Sequence, residues 1–415
     1  MFKFLDYNRR LVSSVHPVSC WLKGTYCFLG SIMSQLGVYI HIPFCLSKCP
    51  YCCFNSSVVS SLPEDKYVEA LLSEIRFTSK EHFAEYEMVD TIYFGGGTPS
   101  LFSPSSVGKV LDVIATCHSF AEDIEITLEA NPSSLDIKKL KGFSDLGIKR
   151  LNLGFQSLND RLLQKLGRIH TAKEAYEVFS LARKAGFDNL GVDLIYGIPG
   201  QETSELREDL EAVVRLRPEH IAAYNLTVET DTPFSRWVEQ GKITLSPEEQ
   251  EVKMYELTHR MLTDGGYDHY EISNFGLPGY QSRHNQKYWM LSPYMGIGAG
   301  AHSYKRTGGS GMRWWNISDP YRYIEDVKNS RSGMAGKEKL SEKETYQEAL
   351  FLGLRQLRGI NLSDLKSDFG MSLDKTYPGV VPSLVDVGLL DLDQDTLKLT
   401  SQGILLADEV FQNFF

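Results

Sequence analysis

The stretch YIHIPFCLSKCPYCCFNSS, residues 39–57, decides the fold of this chain. Its first residues form an apolar run of β-forming side chains, which predicts a buried strand. The strand runs directly into Cys45, Cys49 and Cys52, spaced C-x3-C-x2-C, and Cys53 follows at once. A strand that opens into closely spaced thiols predicts a metal-binding loop at the end of a sheet.

The bulk composition limits the classes of protein that the chain can belong to. It has 415 residues, a net charge of −10 and seven cysteines, four of which crowd into the stretch above. Chains of this length usually form more than one domain, and an acidic chain lacks the basic face that nucleic acid requires. No apolar run approaches the ~20 residues of a membrane helix. We therefore expect a cytoplasmic protein with reduced thiols, no nucleic-acid partner and no transmembrane segment.

From residue 38 onward, β-forming runs alternate with amphipathic helical patterns. The candidate strands are VYIHIPF, TIYFGG, EITLEANP, RLNLGFQS, LGVDLIYGIP and HIAAYNLTVE. The helical patterns cover 64–79, 104–118, 135–146, 159–167, 172–186 and 202–216. Strand–helix units in series predict an α/β fold with a parallel sheet. Almost every strand ends in polar or glycine residues, and a barrel brings the ends of all its strands to one face. We therefore predict a partial (β/α)6 barrel rather than an open sheet.

The sequence divides into four predicted segments. Residues 1–36 are acid-poor and lack a clear period, so they are either a targeting segment, which would place the protein in an organelle, or a start upstream of the true one at Met33. Residues 37–305 form the barrel and its extension, and 306–339, rich in Gly and Ser, are predicted to be a linker. Residues 340–415 predict a small helical, winged-helix-like domain.

Three kinds of site are compatible with the cysteine loop. A structural zinc ion takes four ligands, here including Cys53 or a distant histidine. A ferredoxin-type cluster also takes four thiolates, at a spacing that this chain lacks. A 4Fe–4S cluster held by three thiolates leaves one iron open for a ligand. The glycine-rich turn YFGGGTPS, residues 93–100, favours the third possibility, because glycine backbone lets a ligand approach closely.

Several motifs, in order from about residue 38 to the C-terminus, resemble a known family. They are YIHIPFCLSKCPYC, YFGGGTPS, EANP, GFQS, LGRIH, VDLIYGIPGQ and HNQKYW. They are similar to the radical S-adenosylmethionine (SAM) enzymes, in particular the oxygen-independent coproporphyrinogen oxidase family. The resemblance implies a 4Fe–4S cluster whose open iron is chelated by SAM, and a 5′-deoxyadenosyl radical formed when the cluster reduces the cofactor. It also implies an electron donor for the cluster.

The resemblance assigns roles to individual residues. Cys45, Cys49 and Cys52 match the cluster ligands. The positions that match contacts to SAM are Tyr39, Tyr51, Gly96, Gly97, Thr98, Glu129, Gln156, Arg168 and Asp193. Alternatives remain open for some of them: Tyr51 could pack in the core, and Arg168 with Asp193 could form a structural ion pair.

Two branches of the family predict different functions. The oxidase has a further cysteine two residues after the third, where this chain has Phe54. The CCFNSS ending and RHNQKYW, residues 283–289, resemble the haem-chaperone branch, although that branch commonly has an acid where Cys53 stands. This favours a protein that binds haem, with His284 as a candidate axial ligand, and transfers it to an acceptor protein. The alternatives are oxidative decarboxylation of coproporphyrinogen III and plain electron transfer.

Overall fold

The structure is a computed structural model that describes residues 35–415. The predictions for the N-terminal extension fall on residues that, up to position 34, lie outside the described part. The strands are β1 (Leu36–Ile42), β2 (Phe44–Cys45), β3 (Ser57–Val58), β4 (Met88–Gly96), β5 (Ser119–Ala130), β6 (Arg150–Gln156), β7 (Asn189–Tyr196), β8 (His220–Asn225), β9 (Asp268–Glu271), β10 (Asn274–Gly276), β11 (Tyr294–Ile297), β12 (His302–Thr307), β13 (Ser310–Asn316), β14 (Met334–Lys339), β15 (Ile360–Asn361), β16 (Leu390–Asp393) and β17 (Thr396–Leu399).

The helices alternate with these strands. They are α1 (Glu64–His82), α2 (Pro104–Cys117), α3 (Ile137–Asp145), α4 (Asp160–Lys165), α5 (Ala172–Lys184), α6 (Thr203–Leu216), α7 (Pro233–Glu239), α8 (Glu248–Asp264), α9 (Arg283–Trp289), α10 (Pro320–Ser330), α11 (Glu342–Leu354), α12 (Leu362–Phe369), α13 (Leu373–Thr376), α14 (Val380–Asp386), α15 (Ser401–Leu405) and α16 (Ala407–Gln412).

One mixed sheet organises the barrel domain. Its strand order is β14-β13-β12-β11-β1-β4-β5-β6-β7-β8-β10-β9. The run from β1 through β4 to β8 is parallel, and each of these six strands comes from one predicted strand–helix unit. The loop after β1 touches the loop after β6, three strands away in the sheet, through Cys49 and Arg168. The sheet therefore curls, and the predicted partial barrel is confirmed.

The alternation of residues along β1 shows how the sequence builds this barrel. Val38, Ile40 and Ile42 point outward into the main hydrophobic core beneath the surrounding helices. Tyr39 and His41 point inward, where Tyr39 stacks on Tyr93 of β4 with ring centroids 6.1 Å apart. Because successive side chains of a strand face opposite sides, one sequence supplies both an apolar exterior and a polar interior.

The stretch 306–339 is not the exposed linker that its composition predicts. It contains β13, α10 and β14, and β13 pairs with both β12 and β14 in the large sheet. Gly308, with φ +60°, lies in the tight turn between β12 and β13. The glycines therefore form a hairpin turn, which needs positive φ, rather than a flexible connection.

The C-terminal region has a hydrophobic core of its own. That core runs from Tyr346 to Phe414 and includes Leu350, Leu397 and Val410, each of which is fully buried. Strands β15, β17 and β16 form a small antiparallel sheet beside the helices, and β16 and β17 are joined by a polar turn. This arrangement confirms the predicted small helical, winged-helix-like unit.

Helix α9 covers the amino-terminal end of the barrel across β1, β4 and β5. The ammonium group of Lys287 donates to the carbonyl of Gln35 at 2.8 Å and pairs with Asp90 at 2.7 Å. The first amides of the helix, at Arg283 and His284, donate to the Glu125 carboxylate at 2.9 and 3.0 Å. These bonds fix the motif RHNQKYW at the end of the barrel opposite the cysteine loop.

Candidate functional site

The cysteine loop, residues 46–56, is held in shape by its own backbone. The pairing of β2 with β3 closes its base. Lys48 reaches across it and donates to the carbonyl oxygens of Phe54 and Ser56 at 3.0 and 3.2 Å. Burial raises the pKa of the Cys45 thiol, and the nearby ammonium group of Lys48 acts in the opposite direction, toward the thiolate form that binds metal.

Asn55 anchors this loop to the rest of the barrel. Its Nδ2 donates to the carbonyl oxygens of Ala299 and Ser318, both at 3.0 Å. Its own carbonyl accepts from the His41 ring at 2.8 Å. A Cβ at Gly300 would lie 2.3 Å from Asn55 Nδ2, so the missing side chain at Gly300 makes room for the anchor.

Two of the three predicted cluster ligands, Cys45 and Cys49, contact other predicted site residues through their sulfur atoms. Thr98 Oγ1 donates to Cys45 Sγ at 3.5 Å, and Arg168 Nη1 lies 3.6 Å from Cys49 Sγ. Burial raises the pKa of the Cys52 thiol to about 12. Cys53, in contrast, is exposed, so the two adjacent thiols do not share one environment.

The donor arrangement fits a cluster better than a single ion. Within residues 35–415, no group of three or more His, Cys, Asp or Glu side chains could hold one metal ion. A 4Fe–4S cluster places each thiolate on a different iron, so its ligands need not converge on one point. At Gly97 a Cβ would lie 2.7 Å from the carbonyl oxygen of Phe44 and 3.0 Å from Cys45 Sγ, so the missing side chain lets the glycine turn approach the first cysteine.

The glycine turn after β4 is fixed by Glu129 from the end of β5. Gly96 N donates to Glu129 Oε2 at 3.2 Å, and Tyr93 OH donates to Glu129 Oε1 at 2.7 Å. Gly96 has φ +120°, and a Cβ there would lie 2.8 Å from the His41 ring. Only glycine fits this position, which leaves backbone open toward the carboxylate and the cysteine loop.

Gln156, Arg168 and Asp193 lie around the same edge of the sheet, and each is half-buried. Gln156 has φ +68°, an uncommon conformation for a residue other than glycine and one that often marks a functional position. Arg168 Nη2 donates to the Gly154 carbonyl at 2.9 Å. Asp193 accepts from Asn152 Nδ2 at 2.8 and 2.9 Å.

The two predicted aromatic contacts lie in different surroundings. Tyr39 OH donates to His41 Nδ1 at 2.9 Å inside the barrel, and burial raises the pKa of Tyr39 well above its usual value. Tyr51 packs edge-on against Phe234 and belongs to a small apolar cluster with Leu166. Core packing is therefore part of the role of Tyr51, beside its place next to the cysteine ligands.

His284 reaches into the barrel interior, where its ring stacks on Tyr39 with ring centroids 6.4 Å apart. It is 0 % exposed, with Nδ1 2.9 Å from Thr91 Oγ1 and Nε2 3.1 Å from Tyr288 OH. Its ring stacks on Tyr93, and burial lowers its pKa well below its usual value. The imidazole is thus neutral with both nitrogens hydrogen-bonded, so it can bind an iron only by giving up one of these bonds.

Sequence reasoning missed Asn55 and Asn152 as parts of the site. The alternation in β6, RLNLGFQ, holds the signal for the second, because positions 150, 152 and 156 share the inward face and are all polar. Asn55 could not be found in this way, since the carbonyl groups that it binds belong to residues more than 240 positions away.

A partial barrel with a three-cysteine loop beside a glycine turn is the architecture of the radical SAM class. Residues 39–213 match the radical SAM superfamily, and residues 340–406 match the HemN C-terminal domain. The chain belongs to the HemW family, whose members carry the name heme chaperone. HemW of Bacillus subtilis (strain 168) is 37% identical over 377 residues, 91% of this chain and 98% of that protein. HemW of Lactococcus lactis subsp. lactis (strain IL1403) is 36% identical over 376 residues, 91% of this chain and 96% of that protein.

A solved structure shares the whole architecture. Coproporphyrinogen III oxidase of Escherichia coli, a radical SAM enzyme, superimposes with a TM-score of 0.79 over 92% of this chain and 90% of that one, at 22% identity. At that identity the likeness concerns the fold alone. Membership of the radical SAM superfamily implies a 4Fe–4S cluster and SAM as cofactors of this chain.

Proposed function

We propose that this protein is a haem chaperone, which binds haem and transfers it to an acceptor protein. The observation that carries the proposal is the match to heme chaperones along 91% of the chain. Phe54 supports it, because that position holds a further cysteine in the related oxidase. The proposal gives the protein two partners, an acceptor protein that receives the haem and an electron donor for the cluster. Its compartment is the cytoplasm, or an organelle if residues 1–32 act as a targeting segment.

The side chains at the mouth of the barrel have defined tasks in this proposal. Cys45, Cys49 and Cys52 would hold the cluster, and Gly96 with Glu129 would hold the amino-acid end of SAM. When bound, the cluster and SAM supply one-electron reductive cleavage of the sulfonium. The guanidinium of Arg168 lies 3.6 Å from Cys49 Sγ, where it would stabilise negative charge on the thiolate.

One anaerobic preparation with reconstituted cluster tests the proposal against the oxidase alternative. One half receives haem and is followed by absorbance and by electrophoresis with haem staining. The other half receives SAM, reductant and coproporphyrinogen III and is assayed for protoporphyrinogen IX. Haem binding without porphyrinogen turnover is the expected result. Turnover without haem binding would make the protein an oxidase.

The ligand assignment predicts a difference between two neighbouring thiols. Cys49→Ala should remove the 4Fe–4S cluster and SAM cleavage together, because the remaining two thiolates cannot hold it. Cys53→Ala is the matched control and should keep both, since Cys53 is exposed. Iron, sulfide and 5′-deoxyadenosine are measured in each variant. A full cluster in Cys49→Ala would contradict the assignment.

His284 has two proposed roles that a single variant separates. As an axial ligand to haem, its loss in His284→Ala should weaken haem binding about tenfold or more and shift the haem absorbance. As part of the closed end of the barrel, its loss should lower the midpoint of thermal unfolding and leave the haem spectrum unchanged. The structure favours the second outcome, because both ring nitrogens are hydrogen-bonded.

A further inference from the structure

Arg150 is a buried cation whose guanidinium makes no hydrogen bond within the described part of the chain. Its side chain is 1% exposed and is the largest among the fully buried side chains of the described residues. Neither Nε, Nη1 nor Nη2 has a hydrogen-bond partner among residues 35–415. A guanidinium carries five N–H donors, and leaving a buried charge uncompensated costs several kcal/mol. None of the site residues described above accounts for this group.

The surroundings of Arg150 are polar and lie inside the barrel. Its cross-strand partners are Thr127 of β5 and Asn189 of β7, whose side chains share its face of the sheet. Thr127 Oγ1 and Asn189 Oδ1 are buried and also have no partner in the described part of the chain. Unsatisfied groups from three adjacent strands thus share one face of the sheet in register with Arg150, which is rare in a folded interior unless a ligand or water completes them.

The guanidinium lies close to residues that the sequence matches to the cofactor. A Cβ on Gly191 would lie 2.0 Å from Asn152 Oδ1 and 3.6 Å from Arg150 Nη2, so the missing side chain at Gly191 makes room for the Asn152 amide beside the guanidinium. Asn152 donates to Asp193, which sequence matching assigns to SAM. Arg150 therefore lies one layer beneath the cofactor edge, on the inward face that β6 shares with Gln156.

The acidic groups nearby are already occupied. Glu129 accepts from Tyr93 and Gly96, and Glu125 accepts from the first amides of α9. Glu271 accepts from the side chain of Asn274 and the backbone of Ser273. Asp193 accepts from Asn152, and among the described residues no salt bridge joins Arg150 to any of these four carboxylates. The guanidinium thus keeps its capacity for an anion supplied from outside.

We propose that Arg150 is the centre of a carboxylate-binding site in the barrel interior. A carboxylate matches the forked geometry of a guanidinium and accepts two of its donors at once. Thr127 can donate its hydroxyl proton to the same anion. The occupant is a propionate side chain of the bound tetrapyrrole, a step that rests on the proposed haem-binding function. Arg150 would then orient the porphyrin relative to the cofactors.

A small probe tests the site without haem. The full-length protein is heated in increasing sodium propionate, with propionamide as a neutral probe of the same shape and sodium chloride as the ionic-strength control. Propionate should raise the unfolding midpoint of the wild type and of Arg260→Gln, an exposed control, but not that of Arg150→Gln. Arg150→Lys keeps the positive charge but lacks the planar guanidinium that can bind both carboxylate oxygens. Propionate should therefore raise its unfolding midpoint less than that of the wild type. An equal response to propionate and propionamide would overturn the site.

Haem and its dimethyl ester then identify the source of the carboxylate. Esterification should weaken binding to the wild type about 10- to 100-fold, the loss expected for charge-assisted hydrogen bonds. Arg150→Gln should bind both ligands equally and about as weakly as the wild type binds the ester. Equal affinity of the wild type for both would remove propionate as the ligand. If the wild type binds neither, the haem proposal fails, and the propionate titration alone decides whether the anion site exists.

Discussion

Replacing Asn55 with alanine should loosen the cysteine loop without unfolding the barrel. The side-chain amide of Asn55 makes two hydrogen bonds, each 3.0 Å long, to Ala299 and Ser318. Each is worth about 1 kcal/mol net, so the loop should open about 2 kcal/mol more easily. That corresponds to a roughly 30-fold larger open population, since 1.4 kcal/mol is a factor of ten.

Amide hydrogen exchange measures this opening directly. The amide of Ser57 donates to Pro43 at 2.7 Å and that of Val59 donates to Cys45 at 3.1 Å, so both report on the closed base of the loop. In Asn55→Ala these amides should exchange about 30-fold faster, while amides in the centre of β6 should keep their rates. The reconstituted cluster should also be lost faster to an iron chelator.

Asn413→Ala provides the matched control. Asn413 also donates from Nδ2 to a backbone carbonyl, that of Glu409 at 2.8 Å, but at the exposed end of the chain. Its loss should leave exchange at Ser57 and Val59 unchanged. If Asn55→Ala exchanges like this control, then the anchor does not hold the loop and the reasoning from the two bonds is wrong.

Two further predictions follow from strained or buried groups. Gln156→Gly should relieve about 1 kcal/mol of backbone strain at φ +68°, so thermal stability should stay unchanged or rise. The affinity for SAM, measured by equilibrium dialysis, should fall in this variant. An unchanged affinity would remove Gln156 from the cofactor site. Burial raises the pKa of Glu74 from 4.5 to about 7, against four hydrogen bonds that favour its charged form. The folded chain thus binds a proton at Glu74 more tightly than the unfolded chain does. The resulting contribution to the free energy of unfolding is complete below pH 4.5 and is lost as the pH rises through about 7. In urea unfolding, the free energy of unfolding of the wild type should fall by about 3 kcal/mol over this pH range through Glu74, and Glu74→Gln should lack this part of the decrease. If the pH profiles of the two proteins run parallel, the raised pKa of Glu74 is contradicted.

Local sequence patterns were sufficient to predict the barrel. Each predicted strand from VYIHIPF to HIAAYNLTVE overlaps a parallel strand of the sheet, because β-forming runs and 3.6-residue periods depend on neighbours along the chain. Composition failed at 306–339, where Gly308 forms a hairpin turn. Whether glycine forms a turn or a linker depends on the strands that it joins, and composition does not contain that information.

The site was predictable only in part, for a similar reason. The three cysteines lie within one short stretch of sequence and the glycines of the turn within another, and the spacing inside each motif indicates its chemistry. His284 does not offer such a signal, because its partner Thr91 is 193 positions away. A histidine beside aromatic residues has the same sequence whether it faces a porphyrin or closes the end of a barrel. Arg150 was likewise hidden, since only the structure reveals that its guanidinium is buried without a hydrogen-bond partner among the described residues.

Helix α9 covers one end of the barrel, and the cysteine loop lies at the other. Arg150 and His220, the first residues of β6 and β8, are each 1% exposed, so solvent hardly reaches either side chain. A ligand that reached Arg150 from the end that α9 leaves open would pass the cysteine loop and the positions matched to SAM. A tetrapyrrole seated on Arg150 would have to arrive before SAM and could depart only after SAM had gone. SAM would then bind last and leave first, and its presence would control when the tetrapyrrole enters and leaves the barrel.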